Sequence, residues 1–158
     1  MRVIEYTTYM DEDRKPTLVK MRASNYPDAA ALNTPGTIVN MMNTTFHTSV
    51  LTEEHVWIVA LNAKCHPIGI FEVSHGLVDK SLVSPREIFM KLCLCGAPRF
   101  VLVHNHPSGD CSPSADDIAI TERIRQCGDL MNIRLVDHLI IGNEYYSFKE
   151  ESDKEENN

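Results

Sequence analysis

The sequence lacks the segments that would take it into or across a membrane. No run of about eighteen apolar residues occurs among its 158 residues, which excludes a transmembrane helix. Residues 1–6 do not form the apolar core of a signal peptide. We therefore expect a cytoplasmic protein with no membrane partner.

Cysteine occupies too few and too irregular positions for a disulfide framework. The chain has five cysteines, an odd number, and no two of them form a Cys-x-x-Cys pair. This spacing also argues against a four-cysteine zinc knuckle. We expect the cysteines to be ordinary buried or half-buried thiols.

Positive charge is in short supply. Fifteen lysines and arginines stand against 22 aspartates and glutamates, so the net charge is -7. A chain of this charge repels phosphate groups on average, which disfavours nucleic acid as a partner, although a local basic patch remains compatible with it. Residues 149–158 carry five acids and two lysines, and we expect residues 151–158 to form a disordered acidic tail.

The sequence contains enough apolar residues to form the core of one domain. Hydrophobic residues make up 43% of the chain, and apolar runs of strand length alternate with stretches of helical periodicity. This alternation predicts an α/β sandwich in which helices cover a sheet. Strands are expected at residues 3–9, 17–21, 54–61, 67–73, 100–103, 133–141 and 145–148, and helices at residues 35–46, 85–95 and 114–127.

Two serines mark the starts of predicted helices. Ser84 precedes a proline and stands three residues before Glu87, while Ser114 stands three residues before Asp117. Both pairs have the spacing of a capping box, in which each side chain bonds the backbone of the other residue. Gly128 is expected to end the helix that begins after Ser114.

The chain shows no internal repeat and no linker. Residues 1–50 are predicted to supply strands and a helix that belong to the main domain or pack on it, and residues 51–150 to form that domain. The apolar strand at residues 54–61 contains Trp57, which we expect in the core. This strand could also form a sheet edge that pairs with a second copy, which makes a homodimer the oligomeric hypothesis.

The most informative segment follows the apolar strand at residues 100–103. His104 and His106 lie two residues apart, so both imidazoles project from one face of the strand. A loop rich in proline and glycine then turns the chain, and Asp117 lies in the first turn of the next helix. Two nitrogen ligands and one oxygen ligand suit zinc, with a fourth position left for water. Asp117 is equally explained as the capping partner of Ser114, so a purely structural role stays open.

The pattern His104-x-His106, seven residues, Ser114, two residues, Asp117 resembles the H-x-H-x7-S-x2-D signature of the JAMM (MPN/JAB) metal-dependent hydrolases. The segments HNHPSGD and DHLIIG, together with SPRE upstream, resemble the RadC branch of that superfamily in particular. The resemblance covers residues 52–150, roughly two-thirds of the chain. It implies an MPN/JAB-like (cytidine-deaminase-like) sandwich of a mixed β-sheet flanked by helices.

The resemblance also implies a cofactor and a reaction. His104, His106 and Asp117 would hold one zinc ion per chain. A metal-bound water would attack an amide carbonyl in a peptide or protein substrate, which makes the chain a metallopeptidase or isopeptidase. Zinc lowers the pKa of such a water to about 7 and polarises the carbonyl group.

Two further residues carry catalytic roles by resemblance. The family has a glutamate at the start of an upstream strand that accepts the proton of the attacking water, and Glu54 fits this position better than Glu53. Ser114 would donate a hydrogen bond to the developing oxyanion.

Two features depart from the family pattern, and one residue of the pattern is expected to have no catalytic role. The RadC branch commonly carries a helix-hairpin-helix segment that grips DNA, and residues 1–50 resemble no such segment, which weakens any link with DNA repair. Cys111 stands where the family usually has proline, and we interpret it as a tolerated loop substitution, although a thiol there could bind metal or oxidise. His138 belongs to the DHLIIG segment but is remote in sequence from the site, and we expect it to be structural.

Two other functions are weighed against the hydrolase. The string His104-Asn105-His106 invites comparison with HNH endonucleases, but the three residues of those enzymes are well separated in sequence, and an acidic chain is unsuited to nucleic acid. A catalytically idle scaffold for protein–protein contact would keep the fold without turnover, yet all three ligand positions are intact. We therefore favour the zinc-dependent hydrolase.

Overall fold

A mixed β-sheet and its covering helices account for most of residues 1–76 and 83–157, the part of the chain that the computed structural model describes. The strands there are β1 (Arg2–Met10), β2 (Pro16–Asn25), β3 (His55–Leu61), β4 (Pro67–His75), β5 (Arg99–Asn105), β6 (Arg134–Ile141) and β7 (Tyr145–Ser147). The helices are α1 (Pro35–Phe46), α2 (Pro85–Cys95), α3 (Ala115–Met131) and α4 (Phe148–Glu156). None of these helices combines the length and the apolar character needed to cross a bilayer.

The strands form one sheet in the order β2-β1-β4-β3-β5-β6-β7. The pairs β1–β4 and β5–β6 are parallel, and the other four neighbouring pairs are antiparallel. The predicted α/β sandwich of a mixed sheet flanked by helices is therefore confirmed, and it is consistent with an MPN/JAB-like fold. The hairpin β1–β2 extends the sheet beyond β4.

The position of β3 contradicts one expectation. β3 lies in the middle of the sheet and pairs with β4 on one side and β5 on the other, so it is not a sheet edge. Its residues from Trp57 to Leu61 are all buried, as in a strand covered on both faces. A second copy cannot pair with this strand, and the homodimer hypothesis loses the edge on which it was based.

Two apolar clusters cover the two faces of the sheet. The cluster on the α1 face contains Met41, Met42 and Trp57, and Trp57 is 3% exposed, which confirms its predicted place in the core. The cluster on the α2 and α3 face contains Phe89 and Ile124. Because strand side chains alternate between faces, β3 and β5 contribute to both clusters.

The helix ends agree with the sequence at some positions and differ at others. Ser114 caps α3 in the predicted capping box, whereas the side chain of Ser84 makes no capping bond at the start of α2. Gly128 does not end α3, which continues to Asn132, a residue with φ of 56°. A Cβ atom at Gly128 would lie 2.4 Å from the carbonyl oxygen of Ile133, so this glycine is required by close packing.

Residues 151–158 were predicted to form a disordered tail, and this prediction is wrong for residues 151–156, which belong to α4. Asn158 lies outside the described residues. The Ser147 hydroxyl caps the helix by accepting the backbone N–H of Glu150 at 3.0 Å. Glu150 and Glu151 lie in the first turn, where negative charge is stabilised by the helix dipole. Composition alone indicated a solvated tail, but the cap and the charge order favour a helix.

Asp137 ties β6 to the start of α4. Its carboxylate is buried and accepts hydrogen bonds from the backbone N–H groups of His138 (2.8 Å) and Lys149 (3.0 Å) and from the Ser147 hydroxyl (2.7 Å). Burial raises the pKa of Asp137, although all three hydrogen bonds act in the opposite direction. The docking of α4 thus depends on one acidic side chain.

We expect Asp137→Ala to lower the free energy of unfolding by roughly 3 kcal/mol, because three donors lose their acceptor inside the protein. Urea unfolding followed by circular dichroism measures the change. Asp153→Ala, on the exposed part of α4, is the control and should cost less than about 0.5 kcal/mol. Equal losses for the two variants would contradict the role given to Asp137.

Candidate metal centre

Four side chains from neighbouring elements converge beside the end of β5. His104 lies at that end and His106 follows the strand, while Glu54 immediately precedes β3. Val56 is the register partner of His104 in the antiparallel β3–β5 ladder, so the start of β3 lies next to the end of β5. Asp117 reaches the same place from the first turn of α3. The segments are far apart in sequence and meet only because of the sheet order.

The distances between these groups fit a single metal ion. The Nε2 atoms of His104 and His106 are 2.9 Å apart, and Asp117 carboxylate oxygens lie 3.3 Å and 3.7 Å from them respectively. Ligand atoms around a tetrahedral zinc ion are separated by about 3.3 Å. Glu54 Oε1 lies 4.0 Å from His104 Nε2, and Glu54 with the two histidines forms a group that could hold a metal ion.

A backbone carbonyl fixes the orientation of the His106 ring. Its Nδ1 lies 2.7 Å from the carbonyl oxygen of Asp110, an acceptor, so Nδ1 carries the hydrogen. In the neutral ring the Nε2 atom then presents its lone pair to the site. The loop that contains Asp110 turns at Gly109, whose φ is +84° and whose N–H donates to the His106 carbonyl at 3.0 Å.

A chain of hydrogen bonds fixes the orientation of His104 in the same way. The Thr121 hydroxyl donates to the backbone carbonyl of Asp117 and accepts from Nδ1 of His138 at 2.6 Å. His138 Nε2 therefore accepts from Nδ1 of His104 at 2.8 Å. Nε2 of His104 is left without a hydrogen and faces the site. Such outer partners orient ligands and increase their basicity.

Burial favours the neutral form of the imidazoles of His104 and His138. It lowers the pKa of His104 to about 4, with Asp117 acting in the opposite direction, and it lowers the pKa of His138 well below its usual value. Neutral imidazole is the form that binds a metal ion. With both Nδ1 atoms acting as donors, the Nε2 lone pairs of His104 and His106 face each other across 2.9 Å, an arrangement that suits a cation.

Ser114 and Asp117 form a capping box that also positions the carboxylate. Oδ2 of Asp117 accepts from the Ser114 backbone N–H (2.7 Å) and hydroxyl (2.6 Å), and the Asp117 N–H donates to that hydroxyl oxygen (3.1 Å). Oδ1 remains directed at His104. The two interpretations offered by the sequence are therefore compatible. Oδ2 serves the cap and also lies 3.7 Å from His106 Nε2, while Oδ1 lies 3.3 Å from His104 Nε2.

Glu54 faces the histidines, as the sequence suggested, and Glu53 does not share that position. The Glu53 carboxylate lies instead beside Gly76. The Glu54 side chain is 32% exposed whereas that of His104 is 3% exposed, so the site opens to solvent on the Glu54 side. Burial raises the pKa of Glu54, and Asp117 raises it further while His106 lowers it. A raised carboxylate pKa favours proton acceptance near neutral pH.

A sequence profile of the RadC-like JAB domain family matches residues 32–153. The chain belongs to this family. The resemblance found in the sequence is thereby confirmed, and it places the chain in the JAMM superfamily, many of whose members are hydrolases.

Three relatives of this RadC-like JAB domain are named UPF0758 proteins, a name that states no enzymatic activity. A UPF0758 protein of Clostridium kluyveri is 47% identical over 93 residues, 59% of this chain and 41% of that protein. A UPF0758 protein of Clostridium novyi is 36% identical over 134 residues, 84% of this chain and 58% of that protein. One from Alkaliphilus metalliredigens is 47% identical over 103 residues, 65% of this chain and 44% of that protein. The chain spans about half the length of these relatives.

Asn105, between the two histidines, holds the backbone on both sides of Glu54. Its Oδ1 accepts the N–H of His55 at 2.8 Å, and its Nδ2 donates to the carbonyl oxygen of Glu53 at 3.0 Å. The side chain is buried and replaces the next backbone pair of the β3–β5 ladder. Because strand side chains alternate, it projects away from the face of His104. No pattern in the sequence predicted a role for Asn105.

His138 was expected to be structural because it is remote in sequence from the site, and in the fold it lies directly behind His104. Its register partner on β5 is Leu102, a pairing between strands that no spacing in the sequence reveals. The only available signal was its place in the DHLIIG segment. Cys111 is a half-buried free thiol and does not belong to the metal-capable group found in the described part of the chain.

We expect His138→Leu to weaken metal binding by about 10- to 100-fold, because His104 loses the acceptor that orients its ring. Competition with a chromogenic chelator measures the affinity, and circular dichroism checks the fold. His66→Leu changes an exposed histidine and should leave the affinity unaltered. An unchanged affinity in a folded His138→Leu protein would contradict this role.

We expect Asn105→Ala to free the backbone around Glu54 while sparing the metal ligands. Amide exchange at His55 should accelerate at least 10-fold relative to Val59, which lies deeper in the same strand, and metal affinity should change by less than about 3-fold. Asn62→Ala removes a comparable asparagine cap from the β3–β4 turn and is the matched control. Equal exchange rates at His55 in the two variants would contradict the role of Asn105 in holding the backbone around Glu54.

Proposed function

We propose that this protein is a zinc-dependent hydrolase of the JAMM type that cleaves an amide or isopeptide bond in a peptide or protein. The main support is one observation: two imidazole nitrogens and a carboxylate oxygen meet beside Glu54 at an opening to solvent. Family membership supports the same reaction class.

His104, His106 and Asp117 are the groups that would hold the metal ion. Two nitrogen donors and one oxygen donor match the preference of zinc for three protein ligands in catalytic sites. When bound there, zinc would acidify a coordinated water to a pKa of about 7 and polarise the substrate carbonyl.

Glu54 is the general base and acid in this proposal. It takes a proton from the attacking water and delivers it to the leaving nitrogen as the carbon–nitrogen bond breaks, which yields a carboxylic acid and an amine. Transfer of this kind is worth on the order of 10²–10⁴-fold in rate. Its raised pKa and its position 4.0 Å from His104 Nε2 support the assignment.

Ser114 is the proposed donor to the oxyanion. Its hydroxyl hydrogen points to Asp117 Oδ2 in the structure, so the hydroxyl has to rotate toward the substrate oxygen during the reaction. The backbone N–H of Ser114 also bonds that carboxylate oxygen, so the Asp117 side chain stays anchored when the hydroxyl turns away. A donor of this kind contributes roughly 10²–10³-fold.

Substitutions of the proposed metal ligands should remove the metal, whereas substitution of the proposed general base should remove hydrolysis and leave the metal bound. We expect about one zinc per chain, a sharp loss in His106→Ala and Asp117→Ala, and full loading in Glu54→Gln with at least a 10²-fold loss of peptide hydrolysis. Glu53→Gln is the control and should keep both. Elemental analysis and release of free amine from peptide and isopeptide substrates supply the measurements.

Two outcomes would overturn the proposal. Full zinc loading without hydrolysis across a broad peptide panel would favour an idle scaffold for protein–protein contact. Plasmid nicking with Mg²⁺ or Mn²⁺ that is lost in His104→Ala, with no amide hydrolysis, would favour a nuclease.

A further inference from the structure

A cavity lies at the opposite end of β5 and β6 from the metal centre. β5 and β6 begin at Arg99 and Arg134, about 17 Å of strand away from the metal centre. The cavity, of about 180 Å³, opens there between these strand starts, the N-terminus of α1 and Lys149 of α4. We refer to it as the basic cavity. A larger cavity of about 340 Å³ adjoins it and shares Arg134 and Lys149.

Like charges face each other in the basic cavity. Arg99 and Arg134 are register partners on adjacent strands, an arrangement that is destabilising without a counter-ion. Neither arginine, nor Lys149, makes an ion pair or a side-chain hydrogen bond with any other described residue. The basic cavity thus gathers three cationic side chains that have no anionic partner among the described residues, in a protein of net charge -7.

The one acid in the wall of the basic cavity, Asp137, balances at most one of the three positive charges. Both of its oxygens already accept hydrogen bonds, from the backbone N–H groups of His138 and Lys149 and from the Ser147 hydroxyl. The N-terminus of α1 adds positive character, because Thr34 and Pro35 line the cavity and the first turn of that helix contains no acid. The basic cavity therefore carries a net positive charge.

We propose that the basic cavity binds a small anion carrying a phosphoryl group. Two guanidinium groups and one ammonium group suit a compact dianion, and the adjoining cavity gives room for an organic remainder. A long polyanion fits less well, because α4 borders the site with acids at positions 150, 151, 153, 155 and 156. This site is separate from the proposed hydrolase centre.

The test is titration of the whole protein with inorganic phosphate at constant ionic strength, followed by amide NMR and thermal unfolding. We expect saturable shifts at Arg99, Arg134 and Lys149 but not at His106, in both metal-loaded and chelator-treated protein. A parallel titration with glycerol phosphate distinguishes two possible natural ligands. Tighter binding of glycerol phosphate than of inorganic phosphate indicates a phosphorylated metabolite, and equal binding indicates free phosphate. Both results support the site.

Arg99→Gln and Arg134→Gln should each weaken phosphate binding at least 10-fold. In phosphate-free buffer the same variants should melt at an equal or higher temperature, because they remove the repulsion between the two arginines. Arg14→Gln, in the β1–β2 turn, is the control and should bind normally.

The proposal is overturned if phosphate shows no saturable binding, or if the shifts centre on His106 rather than Arg134. Binding that is unchanged in Arg134→Gln has the same consequence. Arg134-dependent binding of a DNA duplex without saturable phosphate binding would replace the small-anion site with a nucleic-acid surface.

Discussion

The Nε2 atoms of His104 and His106 face each other at 2.9 Å because the other nitrogen of each ring already donates a hydrogen bond. One donates to the Asp110 carbonyl, and the other begins the chain through His138 and Thr121. Two imidazole acceptors at this separation repel each other unless a cation lies near both. The candidate chemistry depends on this pair, since every other group at the site is arranged around it.

The sheet brings the remaining groups to that pair. The β3–β5 register sets Glu54 beside the histidines, and Asn105 extends the ladder with its side-chain amide where backbone pairing ends. Oδ2 of Asp117 is held by the cap of α3, which leaves Oδ1 for the site. The same residues therefore build the fold and set the geometry of the metal centre, and structural and chemical roles are not alternatives here.

The C-terminal helix connects the site to the rest of the molecule. The ring of Phe148, at the start of α4, stacks on His138 at 5.0 Å with an interplanar angle of 4°. Asp137, the preceding residue on β6, anchors the same helix. The face of β6 behind His104 is thus closed by α4, while the basic cavity lies near the strand start. The metal centre and the cavity occupy opposite ends of the two parallel strands.

The sequence by itself determined the α/β class, most element positions, the His104-x-His106 pattern and the capping box of Ser114, because each of these depends on residues close together in the chain. It misplaced the tail, the end of α3 at Gly128 and the position of β3. The roles of Asn105 and His138 and the Arg99–Arg134 pair were decided only by tertiary structure. Each of these depends on which strands are neighbours and in what register, and local sequence does not encode that information.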